Sequence, residues 1–145
     1  MGNNLSMISE VPEFTQITEF LMKSPWLGLL GGTILTCAIQ SSAATIAIVQ
    51  QMYGAGAIGL NIALPFLFGS NIGTTITAVL ASIGGSIPAK RAAFFHVLFN
   101  VIGSILFMIV LSPFTMLIQY INSVSTMSPE LQLAVAHGIL SLIHI

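Results

Sequence analysis

The chain is 145 residues long, and Asp, Glu, Lys and Arg make up only 5% of it, against about a quarter in ordinary soluble domains. Three basic and four acidic residues leave a net charge of −1, which excludes nucleic acid as a partner because a polyanion needs clustered Lys and Arg. The stretches from Ser24 to Ala89 and from Ala92 to Pro129 carry no formal charge, and a water-soluble globule could not cover its surface with them. In chain order, residues 1–24 come first as the most polar segment: Val11, Phe14, Ile17 and Leu21 recur at helical spacing among Glu10, Glu13 and Glu19, the pattern of an amphipathic helix at a membrane surface. No basic region precedes an apolar run here, so the segment does not read as a secretory signal, and Met1-Gly2-Asn3-Asn4-Leu5-Ser6 matches the myristoylation pattern only by chance.

Lys23-Ser24-Pro25-Trp26 marks the entry to the membrane domain, 25–145: a lysine that reaches back to water, a first-turn proline and an interfacial tryptophan. Trp26 to Ile39 is apolar, with Gly28, Gly31 and Gly32 permitting close helix approach. Gln40-Ser41-Ser42 interrupts it, and Ala43 to Tyr53 forms a second short arm. Two half-length arms around a polar tip fit a re-entrant hairpin and a single continuous helix equally. Ala57 to Phe68 is the next apolar segment, followed by a glycine-flanked polar run, Gly69 to Thr75, and then Ile76 to Ile83. Such an interruption predicts a discontinuous transmembrane helix. Gly84 to Pro88 is a turn, and Lys90-Arg91 places it on the cytoplasmic side. Ala92 to Leu111 is the clearest spanning helix, ended by Ser112-Pro113; Phe114 to Ile121 is a short interfacial piece, Asn122 to Ser128 a loop, and Pro129-Glu130 opens a last apolar segment.

Three polar clusters lie where hydrocarbon is expected: Gln40-Ser41-Ser42, Ser70-Asn71 with Thr74-Thr75-Thr77, and His96 with Asn100. An unpaired amide or hydroxyl in a bilayer costs a few kcal/mol, so each must bond to a neighbouring helix or line a wet cavity. Isolated Ser and Thr act as interhelical glue. Clusters beside glycines instead supply what Na+ requires, neutral oxygens without an acidic ligand, and a broken helix turns free N–H groups toward an oxyanion. Cys37, Met108, Met116 and Met127 read as packing; His137 and His144 lack a third ligand at metal spacing. No serine has a nearby base, so no enzyme activity and no cofactor are expected.

Gln40-Ser41-Ser42, the run Gly69-Ser70-Asn71-Ile72-Gly73-Thr74-Thr75-Ile76-Thr77-Ala78, and Ala89-Lys90-Arg91-Ala92-Ala93-Phe94-Phe95-His96-Val97-Leu98-Phe99-Asn100 resemble, in order, the bacterial sodium/phosphate cotransporter family, relatives of the type II sodium-dependent carriers. The resemblance runs from about Trp26 to Val110 and implies an all-α polytopic membrane protein, one of two inverted repeats, each contributing a glutamine-serine-serine hairpin tip. It implies Gln40, Ser41 and Ser42 as ligands of sodium and inorganic phosphate, with Ser70, Asn71, Thr74 and Thr75 nearby and His96 and Asn100 in support. The chain departs from the family in carrying one tip only, in having Ala43 where many relatives have a third serine, and in stopping soon after Ala136-His137. A single repeat, truncated at its C-terminus, is the expectation. It would serve as half of a sodium-coupled phosphate symporter in the bacterial inner membrane, paired with a complementary half or a second copy. The competing readings are a non-transporting packing subunit or inactive fragment, and a carrier of another oxyanion.

Overall fold

A computed structural model describes residues 24–144, and among these the secondary structure is entirely helical. The amphipathic helix expected over 1–24 lies outside the described residues except for Ser24. Helix α1 (Pro25–Ile39) starts as its sequence dictates: the Ser24 hydroxyl accepts the Trp26 N–H, and Pro25 occupies the first turn. It stops at Gln40, whose backbone turns left-handed (φ 57°) while its N–H bonds the Thr36 carbonyl. Ser41 then caps α2 (Ser42–Gly54), its hydroxyl accepting the Ala44 N–H at 3.2 Å.

The chain therefore reverses between α1 and α2. Thr36 and Thr45 are nine residues apart, yet their hydroxyl oxygens lie 2.9 Å from each other, a distance that a continuous helix rising 1.5 Å per residue could not produce. Of the two conformations open from sequence, a helical hairpin is the one adopted.

Helix α3 (Leu60–Thr74) is the centre of the molecule, with every residue from Ile62 to Ser70 buried. A helix apolar on all sides must be covered on all sides, and the other helices surround it. It meets α1 through two reciprocal pairs of glycines. Gly28 faces Ile62 and Pro65, Gly32 faces the Phe66 backbone, Gly69 faces Leu29 and Thr33, and Gly73 faces Thr33, Thr36 and Cys37. Residue numbers rise together on both helices, so α1 and α3 are parallel. Pro65, which lacks an N–H and would ordinarily weaken a helix interior, is buried in this seam.

The run Gly69 to Thr75 does not unwind as its composition predicts. Residues 69–74 are helical, and the interruption narrows to Thr75, which retains right-handed dihedrals and bonds its N–H to the Ile72 carbonyl before α4 (Ile76–Ser82) continues. The hydroxyls of Ser70, Thr74 and Thr75 satisfy themselves on carbonyls of their own helix, and the glycines are used for packing. Together Leu60–Ser82 makes a 23-residue stack long and apolar enough to cross a membrane.

After a turn at Gly84 (φ 76°), a conformation suited to glycine, Ser86 caps α5 (Ile87–Ile109), the second 23-residue helix that can span. It starts before Ala92 and takes in Lys90 and Arg91. It runs antiparallel to the stack: Ala92 and Ala93 lie near Ala78 and Ala81, while Ser104 donates a hydrogen bond to the Phe68 carbonyl at 2.9 Å. Its end at Ile109 is followed at once by α6 (Leu111–Ser125). Ser112-Pro113 opens that helix instead of serving as a stop, consistent with proline's tolerance for a first turn, and the expected interfacial piece and part of the expected loop belong to it. Phe68, Phe107 and Phe114 tie α3, α5 and α6 into an aromatic cluster with centroids 5.3–6.1 Å apart. Helix α7 (Pro129–His144) buries Leu133, Ala136 and Leu140. It is strapped to α2 by Gln50 to the Glu130 carbonyl at 3.2 Å and by the Tyr53 hydroxyl to Gln132 at 3.0 Å.

Candidate functional site

The glycine seam decides where the polar residues end up. Because Gly73 lies against Thr33, Thr36 and Cys37, the last turn of α1, which leads into Gln40, runs beside the turn of α3 that leads into Thr75. Two stretches more than thirty residues apart in sequence are thereby set side by side. The meeting point is about 20 Å along a stack about 34 Å long at 1.5 Å per residue. A side chain at Gly73 would have to displace α1: a β-carbon there would sit 2.6 Å from the Thr33 carbonyl oxygen and 2.6 Å from the Thr36 β-carbon.

Within this region the residues differ in what they offer. Gln40 is exposed at the apex, and Ser41 and Ser42 are half-buried on its far side. The Ser41 hydroxyl is engaged as a cap. The first N–H groups of a helix lack intrahelical acceptors, so those of Ser42 and Ala43 open the α2 N-terminus toward an anion. On α3, Asn71 is half-buried, and the Thr74 hydroxyl donates to the Ser70 carbonyl at 2.7 Å. Thr75, almost fully buried, donates to the Ile72 carbonyl at 2.7 Å. A hydroxyl that has given its proton to a carbonyl still holds oxygen lone pairs, so these bonds aim threonine oxygens as acceptors. Ser70 differs: its side chain is wholly buried and bonded to the Leu67 carbonyl at 2.8 Å.

His96 and Asn100 share a helix but not an environment. Asn100 is buried one turn before Ser104 and, by the antiparallel register, lies level with the Asn71–Ile72 turn; its amide donates to the His96 carbonyl at 2.8 Å. His96 is exposed and lines a cleft of about 420 Å³ with Ala78, Ala81, Ser82, Ala89, Ala92 and Ala93, beside α4 and beyond the tip. Among the described residues no three His, Cys, Asp or Glu side chains cluster as metal ligands.

Sequence reasoning missed Thr36 and Thr45, both wholly buried at the root of the tip, and Ser104. The signal for the first pair was present: they are equidistant from the Gln40–Ser41 bond, as residues facing each other across a hairpin must be. Cys37, taken as packing, is half-buried and directs its thiol at the Gly73 carbonyl, 3.7 Å away.

Comparison with known proteins adds independent observations. A family model described as Na+/Pi-cotransporter matches residues 1–136. The chain is 40% identical over 114 residues to the uncharacterized protein YqeW of Bacillus subtilis (strain 168), covering 79% of this chain and 35% of that protein. It is 42% identical over 100 residues to human sodium-dependent phosphate transport protein 2C, covering 63% of this chain and 17% of that protein. It is 32% identical over 109 residues to sheep sodium-dependent phosphate transport protein 2A, covering 72% of this chain and 17% of that protein. The chain thus spans about a third of the bacterial relative and about a sixth of the animal ones. No solved structure matches.

Proposed function

The chain belongs to the Na+/Pi-cotransporter family, and from that premise we propose that it forms one repeat of a sodium-coupled inorganic phosphate symporter working by alternating access. The family is one of transport proteins, not enzymes, and the two long apolar helices suit a membrane protein. The observation that carries the proposal is depth. If Leu60–Ser82 crosses a hydrocarbon core about 30 Å thick, a turn held beside Gly73 lies inside it, which makes α1 and α2 a re-entrant hairpin.

A two-residue turn with exposed amide and hydroxyl groups is tolerated at that depth only against protein or a water-filled cavity. Gln40, Ser41, Ser42, Asn71, Thr74 and Thr75 then supply neutral oxygens for Na+, while the N-terminus of α2 faces phosphate. Ser70 contributes through its carbonyl, which fixes Thr74. Asn100 and His96 support the neighbouring helices without touching the substrate. Each net positive charge moved inward gains about 2.3 kcal/mol per 100 mV, which is the driving force for uptake. A complementary half or a second copy of the chain completes the site, the bacterial inner membrane is its location, and the Lys90–Arg91 loop faces the cytoplasm.

The test is labelled phosphate uptake into vesicles, with and without an inward sodium gradient, for the chain alone and with a complementary half. Uptake that follows the gradient in either case supports the reading; uptake indifferent to sodium in both rejects it. Sulfate competition separates phosphate from other oxyanions. A second reading, a packing subunit without transport, draws on the interhelical bonds of Thr33 to the Gly69 carbonyl and Ser104 to the Phe68 carbonyl. It predicts that Gln40→Ala and Ser41→Ala change stability alone.

A further inference from the structure

The hydroxyls of Thr36 and Thr45 stand at the root of the Gln40–Ser41 turn, and no ligand assignment above uses them. Thr36 Oγ1 donates to Thr45 Oγ1 at 2.9 Å, and Thr45 Oγ1 donates to the Ser41 carbonyl at 3.2 Å. The Thr36 carbonyl accepts the Gln40 N–H at 2.7 Å. One residue therefore holds both members of the turn, Gln40 through its backbone and Ser41 through a two-step hydroxyl relay. The turn needs such restraint: Gln40 is a non-glycine residue at φ 57°, a conformation that persists when its surroundings over-determine it. Both threonines are wholly buried, so water does not compete for the relay.

We infer that Thr36 and Thr45 are positioning residues, whose paired hydroxyls preset the Gln40–Ser41 turn for the ion. The inference rests on the reading of that turn as an ion site. Valine replaces threonine with nearly the same volume and no hydroxyl, so Thr36→Val cuts the relay while keeping the packing. The tip then populates its binding geometry for a smaller fraction of the time, and apparent ion affinity falls by that fraction. Mere satisfaction of two buried hydroxyls would instead change stability and leave ion affinity alone.

The experiment uses the whole chain in lipid vesicles, with Cys37→Ala and an Ala43→Cys reporter, which places a thiol at an exposed position of the tip. The rate of maleimide labelling is measured against sodium concentration. Sodium is expected to slow labelling in the parent, and Thr36→Val or Thr45→Val to raise the half-protecting concentration about fivefold, equivalent to a hydrogen bond of about 1 kcal/mol. The double valine variant should shift it no further than either single one, and Thr36→Ser and Thr45→Ser should restore the parent value. If a parent protected by sodium keeps its half-protecting concentration in both valine variants, or if the serine variants shift as far as valine, the positioning role is overturned and the ion-site reading stands. A parent that sodium protects neither alone nor together with a complementary half overturns both.

Discussion

Replacing Gly73 by alanine tests the seam on which the site depends. The new β-carbon would lie 2.6 Å from the Thr33 carbonyl oxygen, about 0.8 Å inside the 3.4 Å of ordinary contact, and the obstacle is backbone. No side-chain rotation relieves it, so α1 must move away from α3. Overpacking of this kind costs about 1–3 kcal/mol, and losing close Cα–H to carbonyl contacts adds about 0.5–1 kcal/mol. Alanine returns about 1 kcal/mol through helix propensity. The net expectation is a loss of about 2 kcal/mol, read as a lower midpoint when the chain is unfolded from mixed micelles by a denaturing detergent and followed by circular dichroism. Gly138, also helical, has nothing within 4 Å of its β-carbon position, so Gly138→Ala should raise the midpoint by the propensity gain alone, about 1 kcal/mol. If Gly73→Ala proves as stable as Gly138→Ala, the backbone contact does not hold the tip beside Thr75 and the site as described fails.

Other expectations separate scaffold from chemistry. Gln40→Gly suits a left-handed residue better than glutamine and should stabilise the chain by about 1 kcal/mol while abolishing sodium-dependent protection of the tip; protection that survives would remove Gln40 from the ligand set. Asn71→Leu should leave insertion intact, judged by resistance to alkaline extraction, yet eliminate sodium protection, because an apolar side chain suits lipid but cannot coordinate an ion. Tyr53→Phe removes the donor to Gln132 at the far end of α2; it should lower the unfolding midpoint by about 0.5–1.5 kcal/mol and leave the half-protecting sodium concentration unchanged.

Much of this arrangement was legible before any coordinates, and the failures share one cause. Ser24-Pro25 started a helix where a cap and a first-turn proline say one should start, and the charge-free segment after Lys90-Arg91 is a spanning-length helix. The glycines were visible too, but a glycine at helical spacing has two meanings. At Gly28 and Gly32 the reading as close-approach positions holds; at Gly69 and Gly73 the same residue type reads as a break, although it serves the same seam from the other side. Composition cannot choose between them, because the choice depends on a partner helix more than thirty residues away. Ser112-Pro113 failed similarly: proline ends one helix and begins the next with the same covalent geometry. Of the site, the residue types were legible and their roles were not, since Ser70 and Asn71 are neighbours in sequence with different surroundings, one sealed in the core and one half-open.

The seam and the turn are best understood as one device. A helix hairpin that stops inside a bilayer is unstable alone, because its apex leaves backbone and side-chain polar groups without water. Two glycine pairs bring α1 against α3 closely enough that Thr33 reaches the Gly69 carbonyl at 3.2 Å, and this packing fixes where the apex sits along α3. The Thr36–Thr45 relay fixes its conformation. The groups that both constraints leave open at the apex are the exposed Gln40 side chain and the first N–H groups of α2, at Ser42 and Ala43. If these groups form the site proposed above, a pair of oppositely charged ions is expected to bind there more readily than either ion alone, since neither would meet a compensating protein charge. On the function proposed above, the absence of Lys, Arg, Asp and Glu between Ser24 and Ala89 is the reason sodium and the oxyanion are expected to move together, each supplying the countercharge that this stretch does not.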